Sequence, residues 1–442
     1  MKTIDYRGFS PNRRHFIKTI LAAGVGPLCL PAHVLGADGQ TSPSGRINVG
    51  VIGAGAQGQG DMWGFLAQKD VRVTAICDVN QRNLASARQA IAKTYGSDDV
   101  KEYRDFRELN ADPSIDAVLM ALPFHWHSIP AVDAILHGKH IYHEKPMALS
   151  FQEGRRVREA VLKKGVVFQF GTQQRSESNF RWACELAQNG RLGKLKEIHV
   201  SAPGGIKSPV FPEQALPDYV DWNRWVGPAP MTTFHEAKLK RDNHENMLNF
   251  SLGMIACWGI HHLDIAQWGN GTDGTGPISV QGTGEFPREG GCDAILSWKV
   301  LFEFAQAAPV TFVSDGTPGF DHGIRFIGDS AWVHVKRGDI TSSAPALLDD
   351  PKSKCGTMPV KLAASSHHIR NLVDGIQNRT RTVCDVQTAF RSDTLCQLAL
   401  IAVKSGRKLQ WDPQGEHFTN DEAANAMLEP RAFRGDWKLP QI

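Results

Sequence analysis

Three clusters in this 442-residue chain combine residue types and spacings that could do chemistry. The first is Gly53-Ala54-Gly55-Ala56-Gln57-Gly58, which follows the apolar run INVGVI and opens a helix-like segment. Gly53 permits a tight turn, Gly55 lets the backbone approach a pyrophosphate, and Gly58 lets helix and strand pack closely. The helix start then offers free N–H groups and a positive dipole end to phosphate. Asp78 closes the next apolar run, VRVTAIC, at the distance where ribose hydroxyls need an acceptor. An acid there would repel a 2′-phosphate, so the expected cofactor is NAD rather than NADP, with Arg82 nearby pointing the other way. The second cluster, HEKPMALS, puts Glu144 and Lys145 before a proline at a predicted strand end. Ligands bind parallel sheets at that edge, although a surface ion pair and a turn would read the same way. In the third cluster, CWGIHHLDIAQWG, apolar residues recur with helical spacing over 254–268. Cys257, His261 and Asp264 therefore share a face at i, i+4 and i+7, with His262 beside them.

Imidazoles also occur at His125, His127, His367 and His368. A zinc site wants three or four convergent ligands, and cofactor contact suffices to explain the first pair, so no metal is expected.

These clusters need a scaffold, and the chain supplies one in two grammars. Over 45–165, strand-like runs (INVGVIGAG, VRVTAICD, DAVLMALP, KHIYHEKP) alternate with helical stretches such as QRNLASARQAIAKTY. That alternation predicts a parallel, doubly wound α/β sheet of the Rossmann kind. Over 166–410, strands come in series (LKEIHVSA, ILSWKVLFEFA, VTFVSDG, GIRFIGD, AWVHVKRG), which predicts a second α/β domain around a large, open, mostly antiparallel sheet. A polar, proline-rich insertion, 203–250, interrupts that series, and loops of this length in compact domains are usually functional or interfacial. Residues 411–442 form a polar tail expected to wrap another surface.

Composition narrows the function classes. A formal net charge of +3, with no basic run after the N-terminus, argues against a nucleic-acid partner. The eight cysteines show no CxxC pair, and a chain of this size needs no disulfide staples, so free thiols are expected.

The glycine loop, ALPFHWH, EKP at 144–146 and CWGIHHLDIAQWG occur in an order that resembles the glucose–fructose oxidoreductase/inositol dehydrogenase/MocA (Gfo/Idh/MocA) family. DWNRWVGPAP and GIRFIGDSAWVHVKRG resemble an exported bacterial branch of it. The resemblance runs from about Arg46 through the C-terminal helices. It implies an NAD(P)-dependent oxidoreductase acting on a secondary hydroxyl of a sugar or cyclitol, in a homodimer or homotetramer. It also implies that Lys145 contacts both substrate and nicotinamide and that His261 exchanges the hydroxyl proton. Pro123, His127 and Glu144 would join the cofactor pocket. The family usually carries an Asp four residues before the histidine, where this chain has Cys257. A thiol accepts no strong ionic hydrogen bond, so His262 or Asp264 is expected to compensate.

The N-terminus adds a question. Arg13-Arg14 precede a short apolar stretch ending in small residues, which reads as a twin-arginine signal peptide over 1–37. Export to the periplasm by that route moves folded protein, so the cofactor would travel already bound and be recycled in place. Two alternatives to a simple dehydrogenase follow. One is an NAD-dependent, redox-neutral glycoside hydrolase, in which transient oxidation acidifies a neighbouring C–H and lets the aglycone leave. The other is coupled oxidation and reduction of two sugars. A third possibility, a non-catalytic sugar-binding protein whose catalytic set decayed at Cys257, is one against which Lys145 and His261 both argue.

Overall fold

The computed structural model describes residues 45–314, 322–349 and 358–442, so the expected signal peptide lies outside the described residues. The chain first builds a parallel sheet from β1 (Ile47–Ile52), β2 (Val71–Cys77), β3 (Lys101–Tyr103), β4 (Ala117–Met120), β5 (His140–His143) and β6 (Phe168–Phe170). Their spatial order is β3-β2-β1-β4-β5-β6, with every pairing parallel. Helices α1 (Ala56–Leu66), α2 (Gln81–Tyr95), α3 (Phe106–Ala111), α4 (Ser128–Leu136) and α5 (Phe151–Lys164) connect the strands. Strand β4 is buried along its whole length, as a strand covered on both faces must be. Crossing from β1 to β4 reverses the winding direction, and this switch point opens a crevice at the strands' C-terminal ends. Strand β6 belongs to this sheet, so the parallel domain runs past residue 165.

The second half forms a mixed sheet of nine strands. These are β7 (Leu195–Ala202), β8 (Ser279–Glu285), β9 (Ser297–Glu303), β10 (Val310–Ser314), β11 (Gly323–Gly328), β12 (Trp332–Lys336), β13 (Asp339–Ser342), β14 (Leu409–Asp412) and β15 (His417–Phe418). The order is β13-β12-β11-β7-β10-β9-β8-β14-β15. Only β7 with β10 is parallel; the other pairs are antiparallel. One face packs on α6 (Ser178–Gln188), on the helices that follow the insertion, and on the long α12 (Val386–Ser405). The other face alternates with it and stays half-exposed at Leu301, Val313 and Ile327.

Within the insertion lie two short helices, α7 (Trp222–Val226) and α8 (Arg241–His244). The helix expected over 254–268 is two pieces, α9 (Met254–Cys257) and α10 (Gly259–Gly269), broken at Trp258. The amide of His261 bonds the Trp258 carbonyl three residues back, which marks the tighter first turn of a new helix. After the second sheet's hairpins the chain returns to the first domain. There Ile369, Leu372 and Val373 of α11 (His368–Asn378) enter the core formed by β1, β2 and α1. The tail does not leave the fold at 411: β14 and β15 extend the sheet before α13 (Glu422–Ala426). Among the described residues, all six cysteines are free thiols.

Candidate functional site

A cavity of about 550 Å³ opens where the switch point meets the insertion. Its floor is the glycine loop. Gly53 has φ +89°, and a Cβ there would stand 2.2 Å from the Ala121 carbonyl oxygen; at Gly58 it would stand 1.9 Å from that of Gly53. Neither position admits a side chain. At Gly55, which lines the cavity, a Cβ would meet only Asn83 Nδ2, at 3.8 Å, so backbone is what a ligand meets there.

Asp78 also lines the cavity and braces the loop. Its Oδ2 accepts from the Ala54 amide at 2.9 Å and Asn83 Nδ2 at 3.0 Å, and its Oδ1 from the Asn80 amide at 2.8 Å. Oδ1 keeps a lone pair for a ribose hydroxyl. Burial lifts the Asp78 carboxyl above its ordinary pKa, against these hydrogen bonds. Arg82, the residue that favoured a 2′-phosphate, instead stacks 3.6 Å over the Tyr219 ring. A crevice with this turn, this acid and an open helix N-terminus fits a dinucleotide.

Lys145 projects into the same cavity with its side chain only 5% exposed. Its Nζ lies 3.6 Å from Cys257 Sγ, 4.0 Å from Glu245 Oε1 and 5.3 Å from the Phe124 ring centre. Burial alone would lower the ammonium's pKa, but the groups facing it, Cys257, Glu245 and Glu144, hold it above the ordinary value. Burial pushes the Cys257 thiol up to about 12, so it remains S–H and donates to Glu245 Oε2 at 3.0 Å. Glu144 borders the cavity but its oxygens turn inward, accepting from Gln173 Nε2 at 2.7 Å and the Lys145 amide at 3.2 Å. Behind it, burial and the Glu144 charge raise Asp61 to about 9, so Asp61 is protonated and shares a hydrogen bond with Glu144.

His261 stands behind this wall rather than in it. Its ring packs against Trp258 at 5.5 Å, and its Nδ1 has no partner among the described residues. Burial, reinforced by the Lys145 charge, drives its pKa well below the usual 6.5, leaving a neutral imidazole able to accept a proton.

Three expected contacts fall elsewhere. Pro123 lines the cavity, but His127 is buried with its two ring nitrogens against the Pro146 and Leu122 carbonyls. It braces the turn after β4 against the turn that carries Lys145. Asp264 cannot compensate for Cys257, because Arg175 clamps both its oxygens, at 2.8 and 2.9 Å. His262 points to the second sheet, where Nδ1 meets the Ser201 carbonyl at 2.8 Å. Composition and spacing did not mark two acids of the site: Glu245, which faces the lysine, and Asp61, which lies behind Glu144. No group of three or more metal-ligating side chains converges among the described residues.

An NAD-type crevice facing a second domain with an open sheet defines a class of two-domain dehydrogenases. Comparison with known proteins gives the particular family. A model of the oxidoreductase family's NAD-binding Rossmann fold matches residues 47–172, and one of its C-terminal alpha/beta domain matches 205–439, more than half of the chain. The chain belongs to the Gfo/Idh/MocA oxidoreductase family, and its cofactor is NAD. It is 28% identical over 156 residues to the myo-inositol 2-dehydrogenase of Thermotoga maritima, covering 35% of this chain and 45% of that protein. A glycosyl hydrolase family 109 protein of Shewanella sp. (strain ANA-3) is 39% identical over 114 residues, 24% of each. The chain thus spans less than half the length of these relatives. Among solved structures, the WlbA dehydrogenase of Chromobacterium violaceum in complex with NADH and UDP-GlcNAcA shares the fold, with a TM-score of 0.63 at 15% identity. That match covers 84% of this chain and 98% of the other.

Proposed function

We propose that this oxidoreductase transfers hydride between NAD and a secondary hydroxyl of a sugar or cyclitol, with Lys145 and His261 as the working pair. The observation that carries the reading is the pairing of a buried, charged Lys145 on the cavity wall with a neutral His261 whose Nδ1 is unpartnered. NAD, when bound, takes up or returns the hydride. Lys145 donates a hydrogen bond to the reacting oxygen and stabilises negative charge on it, while His261, set behind the cavity wall, accepts the hydroxyl proton through one intervening water. Both groups hold their working protonation states through neutrality, because the Lys145 pKa is raised and the His261 pKa depressed. Loss of rate on the acid side should therefore fall well below pH 6.5.

A panel of cyclitols and sugars, beginning with myo-inositol and read through NADH absorbance, tests this directly. Lys145→Ala and His261→Ala should each slow hydride transfer by about 10²–10⁴-fold. Wild-type rates in either variant would remove that residue from the mechanism.

A second reading draws on the family 109 relatives and on the insertion that borders the cofactor crevice. The insertion clasps the dinucleotide side: the Gln81 amide bonds the Tyr219 carbonyl at 2.8 Å, the Asp221 amide bonds that of Val79 at 3.1 Å, and Arg241 reaches Gln57 of the glycine loop at 2.9 Å. A retained cofactor that returns to its starting state suits redox-neutral glycoside cleavage. Release of an aryl aglycone without net NADH would favour it over simple dehydrogenation. Retention also suits export through the twin-arginine route to the periplasm, which we propose from Arg13-Arg14 and the apolar stretch after them. The half-exposed sheet face carrying Leu301, Val313 and Ile327 is proposed as the contact between copies in a homo-oligomer.

A further inference from the structure

Lys145 is a buried cation, and burying a charge is costly unless a partner compensates it. Among the described residues, one carboxylate stands within 4.0 Å of its Nζ, and it comes from neither the lysine's own strand end nor the helix bearing His261. It is Glu245, at the exit of the insertion's α8, with its side chain 8% exposed. Its oxygens are divided among three groups: Oε1 faces Lys145 and accepts from Arg241 Nε at 2.9 Å, while Oε2 accepts from the Cys257 thiol at 3.0 Å. Arg241 in turn bonds Gln57 at 2.9 Å, so the network ends on the cofactor loop. Phe124 and the thiol add weaker contacts to the ammonium. Glu144 is directed inward toward Gln173 and Asp61.

We propose that Glu245 is a positioning residue of this site, an acid delivered by the insertion that holds the Lys145 ammonium at the cavity wall. Cys257 lies between the two, 3.6 Å from Nζ and 3.0 Å from the carboxylate. The thiol therefore occupies the place where a carboxylate on the helix would meet the same lysine, and the negative charge is supplied instead by an adjoining element, 3.0 Å from the thiol. Because α8 also carries Arg241, one short turn connects the working lysine to the dinucleotide loop. The charged and titratable groups facing Lys145 are Glu144 from its own strand end, Cys257 and His261 from the paired helices, and Glu245 and Arg241 from the insertion. Of the acids, Glu245 is the one whose pKa stays below the ordinary value despite burial, through the Lys145 and Arg241 charges.

The role of Glu245 rests on the reading of Lys145 as the working lysine, but its test needs no substrate. Full-length protein is labelled with trace acetic anhydride across a pH series, and modification of Lys145 is read by peptide mass spectrometry. In Glu245→Gln the labelling midpoint of Lys145 should fall by about one to three pH units. In Glu245→Asp, whose carboxylate is drawn back by one methylene, it should fall less. In the double variant Glu245→Gln with Cys257→Asp, a carboxylate on the helix should return the midpoint toward wild type. An unchanged midpoint in Glu245→Gln or Glu245→Asp, or a double variant as low as Glu245→Gln, overturns the role of Glu245. Failure to find turnover with any sugar bears on the proposed function alone.

Discussion

At the scale of single residues, the site is a set of buried charges arranged so that each has its complement. The glycine loop, Asp78 and Lys145 were legible because their signals are local: a turn that only glycine fits, an acid ending a strand, a Glu-Lys-Pro edge. Glu245 and Asp61 were not legible, because their partners lie 100 residues away for Lys145–Glu245 and 83 for Asp61–Glu144, and an acid in a polar stretch has no period to betray it. Asp61 offers a test of this charge balance. Its folded pKa, about 9, lies above the ordinary 3.8, so its contribution to stability is complete below the lower value and is lost as pH climbs toward the upper. Asp61→Asn keeps a donor for Glu144 without titrating. Urea unfolding at about pH 5 and about pH 8 should show the wild type losing stability relative to this variant at the higher pH. An identical pH response in the two proteins would mean that Asp61 is ionised. Asp61→Ala, which leaves Glu144 without that donor, should cost about 1–3 kcal/mol.

The elements position these residues through contacts that are partly visible in sequence. The alternation of strands and helices over the first domain, and strands β7, β9, β10, β11 and β12 of the second, appear where the apolar periods place them, whereas β3, β8, β13, β14 and β15 carried no apolar run that marked them. The break at Trp258 was hidden, because the apolar spacing continues across it; the buried Arg175 that captures Asp264 could not be read from a helical wheel. Strand β6, three residues long, gave too short a run to be assigned to the parallel sheet on periodicity. Helix α1 permits a contrast between two glycines only two residues apart. A Cβ at Gly58 meets the Gly53 carbonyl at 1.9 Å, whereas at Gly60 nothing lies within 4 Å. Gly58→Ala should weaken NAD binding by at least about tenfold, the equivalent of ~1.4 kcal/mol, as the loop is forced off the helix. Gly60→Ala should leave binding intact and stabilise the protein by roughly 0.5–1 kcal/mol. Isothermal titration with NAD and a thermal melt read both, and equal binding in the two variants would contradict the packing account.

Across the whole molecule, segments distant in sequence close over one crevice. The insertion reaches the glycine loop through Arg241 and the second strand's exit through Tyr219 and Asp221. The C-terminal tail follows it: Arg434 bonds the Gly227 carbonyl at 2.9 Å, and Trp437 packs on Trp126 with ring centres 4.7 Å apart. The sequence showed that an insertion and a polar tail exist, but where they settle depends on contacts among segments too far apart for local patterns to report. A crevice bordered by both the insertion and the tail suits the cofactor retention proposed above, on which the redox-neutral reading rests. The most direct measurement is to purify the protein without added cofactor, denature it and quantify the dinucleotide released per chain. The account predicts nearly one NAD or NADH for each chain. Protein that emerges empty and takes up added NAD only weakly would contradict it.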